Sequence, residues 1–157
     1  MITGSMFSGK TEELMRRIRR AQIAQLKCLV IKPIIDNRYS KSKVVSHAKN
    51  EIDSKNVSLT ESILEMSKAY DVVAIDEVQF FSENLIHEIE LLCKQGKRLV
   101  LVGLDMDSNS KPFGIMPQLM ASADEVQKLH AICTECGNQA QFSYKKKASS
   151  QQIEIGG

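Results

Sequence analysis

A chain of 157 residues can hold one medium domain and a small appendage, and 43% hydrophobic with 25% charged residues is the composition of an ordinary globule with ample core. A formal net charge of +2 gives no general electrostatic drive toward nucleic acid. No apolar run approaches the roughly 18 residues of a membrane span, no signal-peptide pattern opens the chain, and the simplest compartment is the cytoplasm.

Residues Gly4-Ser5-Met6-Phe7-Ser8-Gly9-Lys10-Thr11 satisfy every fixed position of the phosphate-binding pattern G-x-x-x-x-G-K-[ST]. The glycines let the backbone curl so that several N–H groups aim at one centre, Lys10 brings a point charge to the β- and γ-phosphates, and the Thr11 hydroxyl can hold Mg²⁺. Chance could produce the pattern, but the apolar Met1-Ile2 lead-in and the helix that follows give it the strand–loop–helix setting it needs. Only three residues precede Gly4, where a strand of about five is expected. The other end stops at Ile155-Gly156-Gly157 without a capping element, so the sequence reads as part of a longer chain.

Thr11–Gln25 predicts an amphipathic helix with Leu14, Ile18 and Ala21 inward and the arginines at 16, 17, 19 and 20 largely on a solvated face. Leu26–Ile31 predicts a buried strand. Ile34–Asn56 is polar and aperiodic and reads as a long loop; within it, Asp36-Asn37-Arg38-Tyr39-Ser40 suits a phosphate-side loop or a plain turn. Thr60–Ala69 reads as a short helix capped by Thr60. Val72-Val73-Ala74-Ile75 is an apolar run ending in Asp76-Glu77, and Ser82 caps a helix running to about Gln95. Arg98–Gly103 is another buried strand, Pro117–Ala123 a brief helix, and Glu125–Leu129 a further strand. Strands apolar on both faces and alternating with helices predict a parallel sheet covered on both sides.

Two carboxylates at one strand tip carry the second chemical signal. In phosphate-loop proteins a strand neighbouring the loop ends in an Asp that holds the Mg²⁺ shell, which suits Asp76. Glu77 then stands where an attacking oxygen would lose its proton and is the candidate general base. The plainer alternative is a helix cap or a solvated strand end. Phe80-Phe81 could be core, or one ring could stack on a base. Leu104 follows the strand 98–103, where a parallel sheet presents ligand loops. Cys28 and Cys93 read as buried small hydrophobes. Cys133-Thr134-Glu135-Cys136-Gly137 reads as half of a tetrahedral Zn²⁺ site, the other two ligands being expected beyond Gly157.

These segments together resemble the thymidine kinases of the cellular and bacterial type. The resemblance rests on Thr3–Leu14, Asp36–Ser40, Asp76-Glu77-Val78-Gln79-Phe80-Phe81, Gly103–Asp107 with Lys111-Pro112-Phe113-Gly114, and Cys133-x-x-Cys136-Gly137, in that order along nearly the whole chain. It implies an α/β fold: a P-loop (RecA-like) parallel sheet flanked by helices over residues 1–129, and a small C-terminal zinc-ribbon-like lasso domain over 130–157. It implies transfer of the γ-phosphate of ATP to the 5′-hydroxyl of thymidine, in nucleotide salvage. The phosphate contacts would come from Gly4 to Thr11, Asp36, Arg38, Asp76 and Gln79. Phe80, Leu104 and the backbone of Gln152, Ile153, Glu154, Ile155 and Gly156 would meet thymidine. Feedback inhibition by thymidine triphosphate and a homotetramer are implied as well. Ser108 departs from the family, which often has an aromatic residue there.

Two rival classes share part of these features. One is an ATPase with a zinc knuckle acting on nucleic acid, which the short chain and near-neutral charge disfavour. The other is a nucleotide-binding regulator without turnover.

Overall fold

The computed structural model describes residues 1–34, 43–45 and 51–143. Its elements are β1 (Ile2–Gly4), α1 (Lys10–Ile23), β2 (Cys28–Pro33), β3 (Lys43–Val45), β4 (Glu51–Asp53), β5 (Lys55–Val57), α2 (Ile63–Met66), β6 (Val72–Ile75), a 3-10 turn (Val78–Phe80), α3 (Asn84–Lys94), β7 (Arg98–Gly103), α4 (Met116–Ser122), β8 (Gln127–Leu129), β9 (Ala131–Ile132) and β10 (Gln139–Ala140). Six strands form one sheet in the order β5-β2-β6-β7-β1-β8, and every pairing within it is parallel.

The alternation of side chains along a strand explains why this sheet needs helices on both faces. Val72 and Ala74 point with Ile2, Val30, Val100 and Val102 toward α1, which buries Leu14, Met15, Ile18 and Ala21 against them. Val73 and Ile75 point the other way with Leu29, Ile31 and Leu101, toward Leu85, Ile89 and Leu92 of α3 and Met116 and Leu119 of α4. Val72 to Ile75 are all at most 1% exposed, so no polar alternation is available to mark a solvent face. The three layers follow from that.

Several sequence expectations are corrected in detail. The stretch 34–56 is not all loop: β3 and β4 pair antiparallel, and β5 begins at Lys55 as an edge strand paired with β2 through Ile31↔Lys55 to Pro33↔Val57. α2 is four residues long, and its cap is Ser62, whose side chain accepts from the Glu65 N–H, rather than Thr60. α3 starts at Asn84 with no side-chain cap from the preceding residue. Cys93 is exposed and Cys28 half-buried, so the chain keeps neither as a fully buried hydrophobe. β1 is three residues long but lies inside the sheet, with β7 on one side and the edge strand β8 on the other.

Candidate active site

The phosphate-type loop emerges from β1 at the C-terminal edge of the sheet, the edge where parallel sheets bind ligands. Gly4 has φ 141°, and a Cβ there would lie 2.1 Å from the Leu129 carbonyl oxygen of the neighbouring strand. Gly9, at φ 84°, turns the chain into α1 from a left-handed conformation. The first glycine is thus dictated by close packing and the second by backbone handedness. We expect Gly4→Ala to destabilise the protein by about 3 kcal/mol or more, since neither backbone can yield without breaking the β1–β8 ladder. A melting temperature within about 2 °C of the parent would contradict that packing argument.

Lys10 is partly buried, and its Nζ donates to the Ser5 carbonyl at 2.6 Å. Burial lowers its pKa, while the carboxylates of Glu77, Asp76 and Asp105 act in the opposite direction. The loop lysine therefore lies within the electrostatic reach of carboxylates that follow two other strands. Thr11 lies in the first turn of α1, half-buried, and Ser8 Oγ is buried without a hydrogen-bond partner among the described residues. A concave backbone, a half-buried cation and an unpartnered hydroxyl together fit a polyphosphate with its metal.

Asp76 follows β6, which is not adjacent to β1: β7 lies between them. The expectation of a neighbouring strand is corrected here, because apolar content cannot reveal strand order. Asp76 is 5% exposed, and its Oδ1 accepts from the Glu77 N–H at 3.0 Å. Burial, and after it the Glu77 charge, push its carboxyl up to about 7. Such a group is stored as a partly neutral acid that a cation would ionise. Glu77 is half-buried and holds a left-handed conformation, φ 52° and ψ 40°, at the start of the 3-10 turn. For a residue with a Cβ this is a strained geometry of order 1–3 kcal/mol.

Gln79, expected among the phosphate contacts, is 3% exposed. Its Nε2 donates to Glu77 Oε2 at 2.6 Å, and its Oε1 accepts from the Leu104 N–H at 3.1 Å. Phe80 is half-buried and meets Phe113 edge-to-face, with ring centroids 5.4 Å apart at 82°. Leu104 is half-buried and opens a self-bonded loop. In that loop Asp107 Oδ1 accepts from the Asn109 and Lys111 N–H groups at 2.8 and 3.0 Å, and the Phe113 N–H donates to the Asp105 carbonyl at 3.0 Å. Ser108 is exposed on this loop. Asp36, Arg38 and Gln152, Ile153, Glu154, Ile155 and Gly156 lie outside the described residues.

Two features escaped the sequence reading. Lys128 Nζ and Asp105 Oδ2 are 2.6 Å apart, joining β8 to the loop that follows β7 on the other side of β1. Thr3 is the register partner of both Gly103 and Lys128, so this ion pair spans the root of the loop. Separation by 23 positions, with no periodicity linking the two, left no signal. The C-terminal segment also reaches the loop: Ser5 Oγ donates to the Ala140 carbonyl at 3.1 Å, and the Met6 N–H donates to Ser143 Oγ at 3.0 Å.

β9 and β10 form a small antiparallel pair separate from the main sheet, with Cys133-Thr134-Glu135-Cys136 in its connection. The Gly137 N–H donates to the Cys133 carbonyl at 2.9 Å, with Gly137 at φ 70°. The N–H groups of Cys136 and Glu135 aim at the Cys133 sulfur and lower its pKa. Among the described residues no group of three or more His, Cys, Asp and Glu could hold a metal. Among the same residues no helix is long and apolar enough to cross a membrane.

Comparison with known proteins agrees with this architecture. A family model described as thymidine kinase matches residues 1–157. A thymidine kinase of Porphyromonas gingivalis is 51% identical over 156 residues, covering 99% of this chain and 76% of the relative. That of Bacteroides thetaiotaomicron is 49% identical, covering 99% and 78%. That of Coprothermobacter proteolyticus is 53% identical over 138 residues, covering 88% and 70%. Among solved structures, AMPPCP-bound DnaA from Aquifex aeolicus superposes with a TM-score of 0.51 at 18% identity, over 82% of this chain and 39% of that one, a likeness of fold alone. With a family match over its full length and relatives near half identical, the chain belongs to the thymidine kinase family.

Proposed function

We propose that this protein transfers the γ-phosphate of ATP to the 5′-hydroxyl of thymidine, giving thymidine monophosphate and ADP. The observation that carries this reading is the convergence of Lys10, Asp76 and Glu77 at one sheet edge, in a chain whose relatives bear the name thymidine kinase. Gly4 to Thr11 would cradle the donor phosphates, with Asp36 and Arg38 at their border. Glu77 would take the proton of the acceptor hydroxyl as its oxygen bonds to the γ-phosphorus and the bond to the ADP oxygen breaks. Thr11 and Asp76 would hold Mg²⁺, which when bound neutralises charge on the β- and γ-phosphates. Phe80 and Leu104 would border the nucleoside, and the backbone of 152–156 would read the thymine edge.

ADP release separates this from the nucleic-acid-dependent ATPase. We expect release to require thymidine and to ignore added DNA; release driven by DNA without nucleoside would overturn the reading.

The finer features are proposed with it. Cys133 and Cys136 would supply half of a structural Zn²⁺ site in a lasso that begins at residue 130, and the N–H groups directed at the Cys133 sulfur suit a bound thiolate there. A full-length preparation holding no zinc by elemental analysis would contradict this. A place in cytoplasmic salvage, inhibition by thymidine triphosphate and a homotetramer complete the proposal. Cell fractionation, inhibitor titration and light scattering respectively test them, and a particulate fraction, an unchanged rate or a monomer would contradict each in turn.

A further inference from the structure

We infer that Gln79 is a positioning residue that fixes the aim of the Glu77 carboxylate from the backbone of the loop after β7. The inference rests on reading Glu77 as the base.

The amide orientation is determined by chemistry. The Leu104 N–H can only donate, so its partner is Gln79 Oε1 at 3.1 Å. The amide NH₂ is then left facing Glu77 Oε2 at 2.6 Å. A flipped amide would set donor against donor and oxygen against carboxylate oxygen. Gln79 supplies the only side-chain hydrogen bond to the Glu77 carboxylate among the described residues.

Packing makes this arrangement tight. Gln79 is 3% exposed, so its amide has little freedom to leave these two partners. A Cβ at Gly103 would lie 2.6 Å from Gln79 Oε1, and one at Gly114 would lie 2.3 Å from the Gln79 carbonyl oxygen. Two glycines therefore make the room that lets the 3-10 turn sit against the end of β7 and the loop that follows. Phe80, next in sequence, packs on Phe113 of the same loop. The loop that would border the acceptor and the group that would deprotonate it are thus referenced to each other through one side chain. A glutamate has three rotatable side-chain bonds, and without this tie nothing described would hold its aim.

The test is a kinetic split. Gln79→Met, similar in length and without the hydrogen bonds, should lower kcat for thymidine about 10- to 100-fold, the scale of a misplaced catalytic group. Affinity for a non-hydrolysable ATP analogue and KM for thymidine should stay within about threefold, which also shows that the fold survives. Gln79→Asn keeps an amide but is one methylene too short to reach both partners; it should show the same kcat-selective loss and decides the matter if the Met variant does not fold. Added to Glu77→Gln, either substitution should change kcat by less than about threefold, because the two residues act as a unit.

A tenfold loss of ATP-analogue affinity with kcat retained would make Gln79 a phosphate contact and overturn the inference. Equal losses in the parent and in an already impaired Glu77→Gln background would make it merely structural, with the same consequence. Full kcat in Glu77→Gln alone would instead overturn the base reading on which the inference rests.

Discussion

Glu77→Gln is expected to lower kcat for thymidine by about 10²-fold or more, while a non-hydrolysable ATP analogue binds within about threefold of the parent. The substitution removes the proton affinity and the negative charge of the carboxylate while keeping its size. The Gln79 amide can donate to an amide oxygen as it does to the carboxylate, so the shape at this position is retained. The left-handed backbone at φ 52° supports the role from another direction. A residue with a Cβ held there carries a conformational cost of order 1–3 kcal/mol that glycine would avoid. Glu77→Gly is therefore expected to be at least as stable as the parent and as inactive as Glu77→Gln. Initial rates, analogue titration and thermal melts read all three quantities; an unchanged kcat in Glu77→Gln would remove the base from the mechanism.

Asp76→Asn should have the second large effect, with opposite signs on turnover and on stability. Turnover of Mg–ATP should fall by about 10²-fold or more, since the carboxylate proposed to hold Mg²⁺ at the end of β6 is lost. The metal-free protein should become more stable, but only over part of the pH range. In the fold, burial and the Glu77 charge raise this carboxyl from 3.8 to about 7. Below about 3.8 the group is neutral in both folded and unfolded chains, and the substitution changes little. As pH rises from there to about 7, the unfolded chain ionises first, and the parent loses stability that an asparagine cannot lose. A shift of roughly three units sets a ceiling of about 4 kcal/mol, so a gain of about 1–3 kcal/mol, several °C in melting temperature, is expected above pH 7. Melts of both proteins at pH 4 and pH 8 without metal check this; an asparagine variant less stable at pH 8 would contradict it.

How much of this was legible in the sequence depends on how local each cause is. The loop Gly4–Thr11, the buried run Val72–Ile75 and the strand Arg98–Gly103 announce themselves, because their patterns are contiguous and their apolar content is unbroken. β5 does not. Three residues, of which only Val57 is fully buried, cannot show a period against the polar stretch before them. Thr60 looked like a cap by residue type, but Ser62 stands where its side chain can reach the Glu65 N–H. Strand order is invisible to apolar content, so β7 between β1 and β6 could not be anticipated, nor could Lys128 reaching Asp105 across the loop root. Gln79 shows the same limit at the site. Its place in the Asp76–Phe81 motif was plain, whereas its burial and its two partners depend on a turn packing against a loop 25 residues away.

On the proposed function, one sheet edge joins a phosphate donor to a thymidine acceptor. Incubating the full-length protein with ATP, Mg²⁺ and, separately, thymidine, deoxyuridine, deoxycytidine and deoxyguanosine, and identifying the phosphorylated product by mass, tests it most directly. Thymidine monophosphate should form in step with ADP, with little product from deoxycytidine or deoxyguanosine. ADP formed at the same rate without any nucleoside, or no phosphorylated thymidine at all, would contradict it.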